Sequence, residues 1–322
     1  MNLNIIVTFW NCENNIEECL TSIKNQYYTN FTAYIIDDMS TDSSYEIAKK
    51  TINGDKRFNL IKNQRKKFKC ESYIDTIKNN EKIKDNDVIV EIDGDDKLEN
   101  NFVLGLINRI FMDENVWVCG SKWISNNQNN SSQKVIDFND LRKNEWNFNS
   151  LRTYRVFLFK SIKDEDLKYE DNYVQTSVDI AFGLPILEMA GDEHFYFCDE
   201  ITYQYNFHKN QSHSNLAAHR NHLLKSQTEK HLRSLSKYGK LLIPKTTTSI
   251  PEIPSKADFI AKLTNNANVR TQVPQKNRVK YEVVNNVTQN RINQKSQYLN
   301  AMMKTDLIQR KHFNQPVDRK RF

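Results

Sequence analysis

The sequence predicts an α/β protein built on parallel strands, and three observations predict it. An apolar run from Ala33 to Ile36 stops at Asp37 and Asp38. A β-branched run, Val88 to Val90, leads into Asp93, Asp95 and Asp96 around a lone Gly94. A third run, residues 4–7 (NIIV), is followed by Ile16, Cys19, Leu20 and Ile23 at helical spacing. Apolar runs bounded by turn residues read as strands, and the three-one-three spacing reads as a helix. Strand, helix, strand is a βαβ unit, which puts the C-terminal ends of its strands on one edge. In open α/β sheets ligands bind outside that edge.

The acids give that edge a chemistry. Asp37, Asp38, Asp93, Asp95 and Asp96 converge on one crevice and repel one another, so a positive partner belongs there. Hard cations such as Mg²⁺ and Mn²⁺ prefer oxygen ligands and are usually held by one or two carboxylates plus substrate phosphates. Residues 93–96 alone also fit a solvated Asp-Gly turn. The second acid-tipped strand favours the site over the turn.

The stretch IIVTFWNCENNIEECLTSIKNQYYTNFTAYIIDDMSTDSS resembles the opening of a family 2 glycosyltransferase with a GT-A fold. The matching pieces are Thr8–Asn11, the Ser22-Ile23-Lys24-Asn25-Gln26 helix end, Asp37-Asp38-Met39-Ser40, and Ile92–Asp96 as an Asp-x-Asp-like motif. The resemblance covers residues 1–210, most strongly before 100. It implies a Rossmann-like mixed sheet flanked by helices, and transfer of a sugar from a nucleoside-diphosphate sugar, UDP-linked, to an acceptor hydroxyl. It also implies a divalent cation, Mn²⁺ or Mg²⁺, and a glycan, lipid or protein acceptor. Two positions depart from the pattern: Thr8 replaces the usual Pro and Met39 the usual Gly. Met does not easily take φ > 0, so the turn at Met39 is expected to differ. The Gln-x-x-Arg-Trp motif of processive synthases is absent, which points to single-sugar transfer.

The chain has 322 residues and a formal charge of +6, unevenly placed. From Lys245 onward there are 15 Lys and Arg against 5 Asp and Glu, a net of +10, which leaves −4 for the first 244 residues. A nucleic-acid reading of the total charge is therefore disfavoured. Five scattered cysteines show no metal-binding spacing, and a reducing compartment is the simpler inference. No stretch approaches the ~18 apolar residues of a membrane span, and the N-terminus lacks a signal-peptide pattern. The expectation is a cytoplasmic protein, soluble or peripheral at a membrane.

Three regions follow: a catalytic domain over 1–213, a helical extension over 214–243, and a flexible, basic tail over 244–322, whose composition does not build a core. The tail can contact an anionic partner. Further strands are expected at Asn59–Lys62, Val116–Cys119, Arg155–Phe159, Phe195–Cys198 and Ile201–Tyr205. Helices are expected at Ser43–Thr51, Ser72–Asn79, Asn100–Phe111 and Ser214–Tyr238, and residues 126–134 read as a polar loop. An apolar run from Ile180 to Ala190 contains Pro185, which kinks or begins a helix, and Gly191 stops it.

Under the resemblance, Asp95 and Asp96 are metal candidates, with Asp93 shared between metal and ribose. Asp38 accepts from the base or ribose, while Asp37 satisfies local backbone donors. Thr8, Trp10 and Glu13 line the base pocket, and Lys69 or Lys66 pairs with a phosphate. Asp179 is the expected general base, with Glu170, Asp171 and Glu188 as rivals and a helix N-cap as its structural alternative. His208 is placed near the diphosphate as a further metal ligand, with His213 as alternative. An Asp base without a nucleophile partner implies inversion. The competing reading is a catalytically silent GT-A-like module that binds a glycan or nucleotide and recruits partners through its basic tail.

Overall fold

The computed structural model describes residues 1–125, 136–149, 151–206 and 216–242. They lie within one compact unit, Met1–Thr247. The expected loop at 126–134, both histidines His208 and His213, and the tail from 244 fall outside the described residues.

The first hundred residues alternate as the pattern requires: β1 (Leu3–Phe9), α1 (Ile16–Lys24), β2 (Phe31–Asp37), α2 (Ser44–Ile52), β3 (Phe58–Lys62), α3 (Phe68–Tyr73, continued by one π-turn to Lys78) and β4 (Val88–Asp93). Strand β1 pairs in parallel with β2 on one side and β4 on the other, and β2 pairs with β3. Almost every residue of β1, β2 and β4 is buried. That is why they read as continuous apolar runs rather than alternating ones. Register fixes the edge: Phe9 lies opposite Asp37, and Thr8 opposite Asp93.

The rest is β5 (Lys97–Leu98), α4 (Val103–Ile110), β6 (Val118–Ser125), β7 (Thr153–Arg155), α5 (Val156–Lys160), the small hairpin β8 (Lys168–Tyr169) and β9 (Asn172–Tyr173), α6 (Val178–Ala190), β10 (Phe195–Tyr205) and α7 (Leu216–Ser234). The main sheet runs β3-β2-β1-β4-β7-β6-β10-β5. Strand β7 is antiparallel to both β4 and β6 and joins the two parallel parts.

Two expectations are corrected. Arg155–Phe159 was expected as a strand, but only Thr153–Arg155 is one, and Val156–Lys160 is helical. A short continuous apolar run fits a buried helix as well as a buried strand. Phe195–Cys198 and Ile201–Tyr205 are one strand, β10, whose register against β6 shifts between Cys198 and Ile201 and again between Ile201 and Tyr203. The irregularity lets one strand serve β6 along its length and β5 near its end.

Helix α6 is apolar on every side, and all its residues except Asp179 are buried, as a helix inside a core requires. Pro185 sits in its middle rather than near its start, and Gly191 ends it at φ 67°. A buried ion pair fixes α6 to its surroundings: Arg142 donates to both Glu188 oxygens at 2.6 and 2.8 Å and to the Leu232 and Leu235 carbonyls. Glu188 also accepts the Tyr238 N–H at 3.0 Å. With Leu232 buried in the same core, α7 packs on α6.

Candidate active site

The C-terminal ends of β1, β2 and β4 bring three groups together. The first surrounds Asp38, just past β2. Its Oδ1 accepts the Lys67 N–H at 2.8 Å and the Asn63 amide at 3.0 Å. Its Oδ2 accepts the Phe68 N–H at 2.9 Å and faces the Lys66 ammonium at 3.3 Å. Burial works against the charge, but these donors outweigh it and hold Asp38 below the usual carboxylate range. To serve them the chain turns sharply, and Phe68 takes φ 58°, an uncommon value for a bulky residue. Because the folded value is depressed, the stability Asp38 contributes is present above its unfolded value of 3.8 and is lost as pH falls through the lower folded value. Acid titration of unfolding should therefore show a smaller loss of stability below pH ~4 in Asp38→Asn than in the wild type.

Trp10, past the end of β1, is 54% exposed, and the Lys66 ammonium lies 3.8 Å from its ring centre. The turns on either side are tied together. Asn11 Oδ1 accepts the Thr41 N–H at 2.8 Å, and Glu13 accepts the Ser43 N–H at 3.1 Å at the start of α2. Glu13 thus braces the pocket wall. Asp37 is fully buried and accepts the Ser40 N–H at 2.9 Å, as expected of a local backbone partner.

That bond explains a correction at Met39. The turn was expected to differ because Met replaces Gly, yet Met39 sits at φ 65°. The Asp37–Ser40 bond closes the turn around Met39, and the residue takes the left-handed conformation at a cost of ~1–2 kcal/mol. Met39→Gly should therefore raise stability by about 0.5–1 kcal/mol, the strain relieved less the added freedom of the unfolded chain. Denaturant titration measures it, and with Met39 41% exposed little packing is lost.

The second group is the acidic turn after β4. Gly94 N–H bonds the Thr8 carbonyl at 3.1 Å, and a Cβ at Gly94 would come within 2.4 Å of Phe9 Cβ. Only glycine lets the acids lie this close to β1. Asp96 is buried, and its oxygens accept the Tyr203 hydroxyl at 2.8 Å and the Asn206 N–H at 2.8 Å. Asn206 also holds the Asp95 carbonyl at 2.5 Å. Burial, then the charges of Asp95 and Asp93, push Asp96 up to about 8 against those two hydrogen bonds.

The third group is a chain of alternating charges behind the turn. Lys69 of α3 reaches Asp93 at 2.6 Å and Glu91 at 3.6 Å. Glu91, buried in the middle of β4, also accepts from Arg152 at 3.1 Å and from the Tyr154 hydroxyl at 2.8 Å. Burial opposes the charge on Asp93, but Lys69 and Arg152 prevail and hold it low. Burial likewise opposes the charge on Arg152, and the fields of Glu91, Asp179 and Asp93 keep it firmly protonated. Asp179 lies in the first turn of α6, and its charge, with those of Glu91 and Asp93, acts on Arg152. Ser177, not Asp179, occupies the N-cap position. Of the rivals, Glu188 is engaged with Arg142, and Glu170 and Asp171 form an exposed turn at φ 50° and 64°.

The donor set fits a hard cation. Three carboxylates lie within four residues at the end of β4, and their oxygens are the donors that hard cations prefer. Among the described residues no cluster of three or more His, Cys, Asp or Glu side chains is placed to hold a metal by itself. A cation here would therefore share the carboxylates of residues 93–96 with ligands from a substrate. Glu91, Arg152, Tyr154, Tyr203 and Asn206 were not anticipated. Glu91 carried the one visible signal, a charge inside the apolar run VIVEI.

Comparison with known proteins agrees with this architecture. The first 349 residues of S. aureus TarS, solved in complex with UDP-GlcNAc, superpose with a TM-score of 0.51 at 17% identity, over 65% of this chain and 60% of that one. The longer S. aureus TarS chain gives 0.51 at 18% identity, over 73% of this chain and 44% of that one. This chain thus spans well under two thirds of the TarS chains, and the likeness is one of fold, GT-A. No curated protein matches. No helix among the described residues is long and apolar enough to cross a membrane. The sequence model described as Glycosyl transferase family 2 matches residues 4–167, half of the chain, and this protein belongs to that family.

Proposed function

We propose that this protein transfers a sugar from a nucleoside-diphosphate sugar, UDP-linked, to an acceptor hydroxyl, with inversion at the anomeric carbon. The observation that carries the reading is the order of groups along one sheet edge. Trp10 and Asp38 stand at β1 and β2 and the acids 93–96 at β4, while Asp179, in the first turn of α6, is near enough for its charge to act on Arg152 beside those acids. A nucleotide sugar needs the same order: a place for the base, charge control at the diphosphate, and a proton acceptor at the sugar. Membership of family 2 and the fold shared with TarS, solved with UDP-GlcNAc, support it.

The roles follow from the chemistry of the groups. Trp10 offers an exposed ring to a base, and Asp38 an acceptor. Asp95, with Asp93 beside it, would hold Mn²⁺ or Mg²⁺, with Asp96 set behind them. When bound, the ion acts as a Lewis acid on the departing diphosphate. Lys69 keeps Asp93 ionised and aimed. Asp179 takes the acceptor proton as general base. The acceptor, a glycan, lipid or protein, approaches from the α6 side. The protein works in the cytoplasm, in solution or at a membrane surface, with His208 as a further metal ligand and an anionic partner for the basic tail.

Asp179→Asn tests the assignment of the base. It should lower kcat for sugar transfer by about 10²–10⁴-fold and leave the KM for the donor within about twofold. Unchanged kcat, or a loss confined to KM, would remove Asp179 from the chemical step.

A further inference from the structure

The proposed reaction does not use Lys66, yet its ammonium stands against the two groups proposed to take the base, Trp10 and Asp38. Its ammonium lies 3.8 Å from the Trp10 ring centre and 5.6 Å from that of Phe68. It also lies 3.3 Å from Asp38 Oδ2 and donates to the Asp38 carbonyl at 3.1 Å. It therefore covers both the ring on which a base would stack and the carboxylate that would read it.

A carboxylate offers about four acceptor positions, and Asp38 has four donors. Three are fixed. The Lys67 and Phe68 N–H groups belong to the backbone, and the Asn63 amide is itself buried and held to Ser72 at 3.1 Å. The fourth, the Lys66 ammonium, is on a flexible stem, partly exposed, and makes the longest of the four contacts. Exchange at Asp38 is thus limited to one position on Oδ2.

Resting on the reading of this pocket as the nucleotide site, we propose that Lys66 occupies the base pocket of the free protein and is displaced by a base that presents one imide N–H. Uracil fits. Its N3–H replaces the ammonium on Oδ2, its ring replaces the ammonium on Trp10, and its two flanking carbonyls can take hydrogen bonds from the released Lys66. Guanine presents two adjacent donors, N1–H and the 2-amino group, and only one acceptor position is released. Cytosine presents a bare ring nitrogen where the imide N–H is required. The three fixed donors thereby set base choice by leaving Asp38 a single exchangeable position, and Lys66 sets how tightly that position is held against the base.

The probe is uridine, which is uncharged, so phosphate attraction does not enter. Calorimetric titration compares the wild type with Lys66→Met, which keeps the stem and removes the charge. Displacing the lysine means breaking a cation–π contact and a partly exposed ion pair. The variant should therefore bind uridine about 3- to 30-fold tighter. Added salt weakens the ion pair that uridine must break. Wild-type affinity for the neutral nucleoside should rise with ionic strength, and that of the variant should stay flat. Guanosine and cytidine should bind both forms more weakly than uridine. Equal or weaker uridine binding by Lys66→Met, with matching salt profiles, overturns the displacement and leaves the nucleotide site standing. If neither form binds uridine and the wild type turns over no UDP-sugar, the site reading fails and this inference with it.

Discussion

Asp95→Asn should lower cation-dependent turnover of the nucleotide sugar by a hundredfold or more, roughly 2.7 kcal/mol of transition-state stabilisation, while the protein keeps its stability. The argument is one of division of labour among three neighbouring acids. Asp93 is paired with Lys69, and Asp96 is buried under Tyr203 and Asn206. Asp95 is half-buried at the tip of the turn, with its carbonyl anchored by Asn206. Asn206 holds its backbone, and the amide keeps the shape of the side chain, so the turn should stay intact. Removing one of three mutually repelling carboxylates also relieves Asp96, so thermal unfolding should stay level or rise slightly. Steady-state kinetics over a range of Mn²⁺ concentrations would show the loss. Partial recovery at high Mn²⁺ would mark Asp95 as a ligand, and full activity at ordinary Mn²⁺ would move the cation elsewhere.

Glu91→Ala should cost about 3–5 kcal/mol of stability, the scale for removing one partner of a buried ion pair. Glu91 is 2% exposed and answers three groups: Arg152 at 3.1 Å, Lys69 at 3.6 Å and the Tyr154 hydroxyl at 2.8 Å. Truncation leaves the Arg152 guanidinium inside the fold without its ion-pair partner. Urea titration gives the size. A second variant separates charge from packing: Glu91→Leu combined with Arg152→Met replaces the pair by apolar groups and should recover much of the loss. Activity should not recover with it, because Arg152 helps keep Asp93 charged.

What the sequence disclosed was largely what periodicity and punctuation can carry. The runs at 4–7, 33–36 and 88–92 are buried on both faces, and the last two end in acids, so both their existence and their shared edge were legible. The run RVFLF was not, because four consecutive apolar residues satisfy a buried helix turn as well as a strand. The pairing of β5 with β10 was hidden for another reason: Lys97 and Leu98 are joined to Tyr203 and Gln204 across a hundred residues, and no local pattern records that.

The site divided in the same way. Motif residues such as Asp38, Asp93 and Asp95 stood out by position. Their partners came from distant segments: Asn63 and Lys67 for Asp38, Tyr203 and Asn206 for Asp96, Arg152 for Glu91. Met39 shows a further limit. Residue type argued against a left-handed turn, yet one hydrogen bond from Asp37 holds it. Propensity is a preference of order 1 kcal/mol, and a single buried bond is enough to offset it.

The central claim is that one sheet edge carries a base pocket, a cation-assisted diphosphate site and an acceptor base in line. The most direct measurement is diphosphate release by the purified protein from a panel of UDP-, GDP- and dTDP-sugars, with and without Mn²⁺ or Mg²⁺. The account predicts release of UDP from a UDP-sugar, dependent on the added cation, with the guanine-linked donors left intact. Failure of every donor to bind or react with either cation would contradict it.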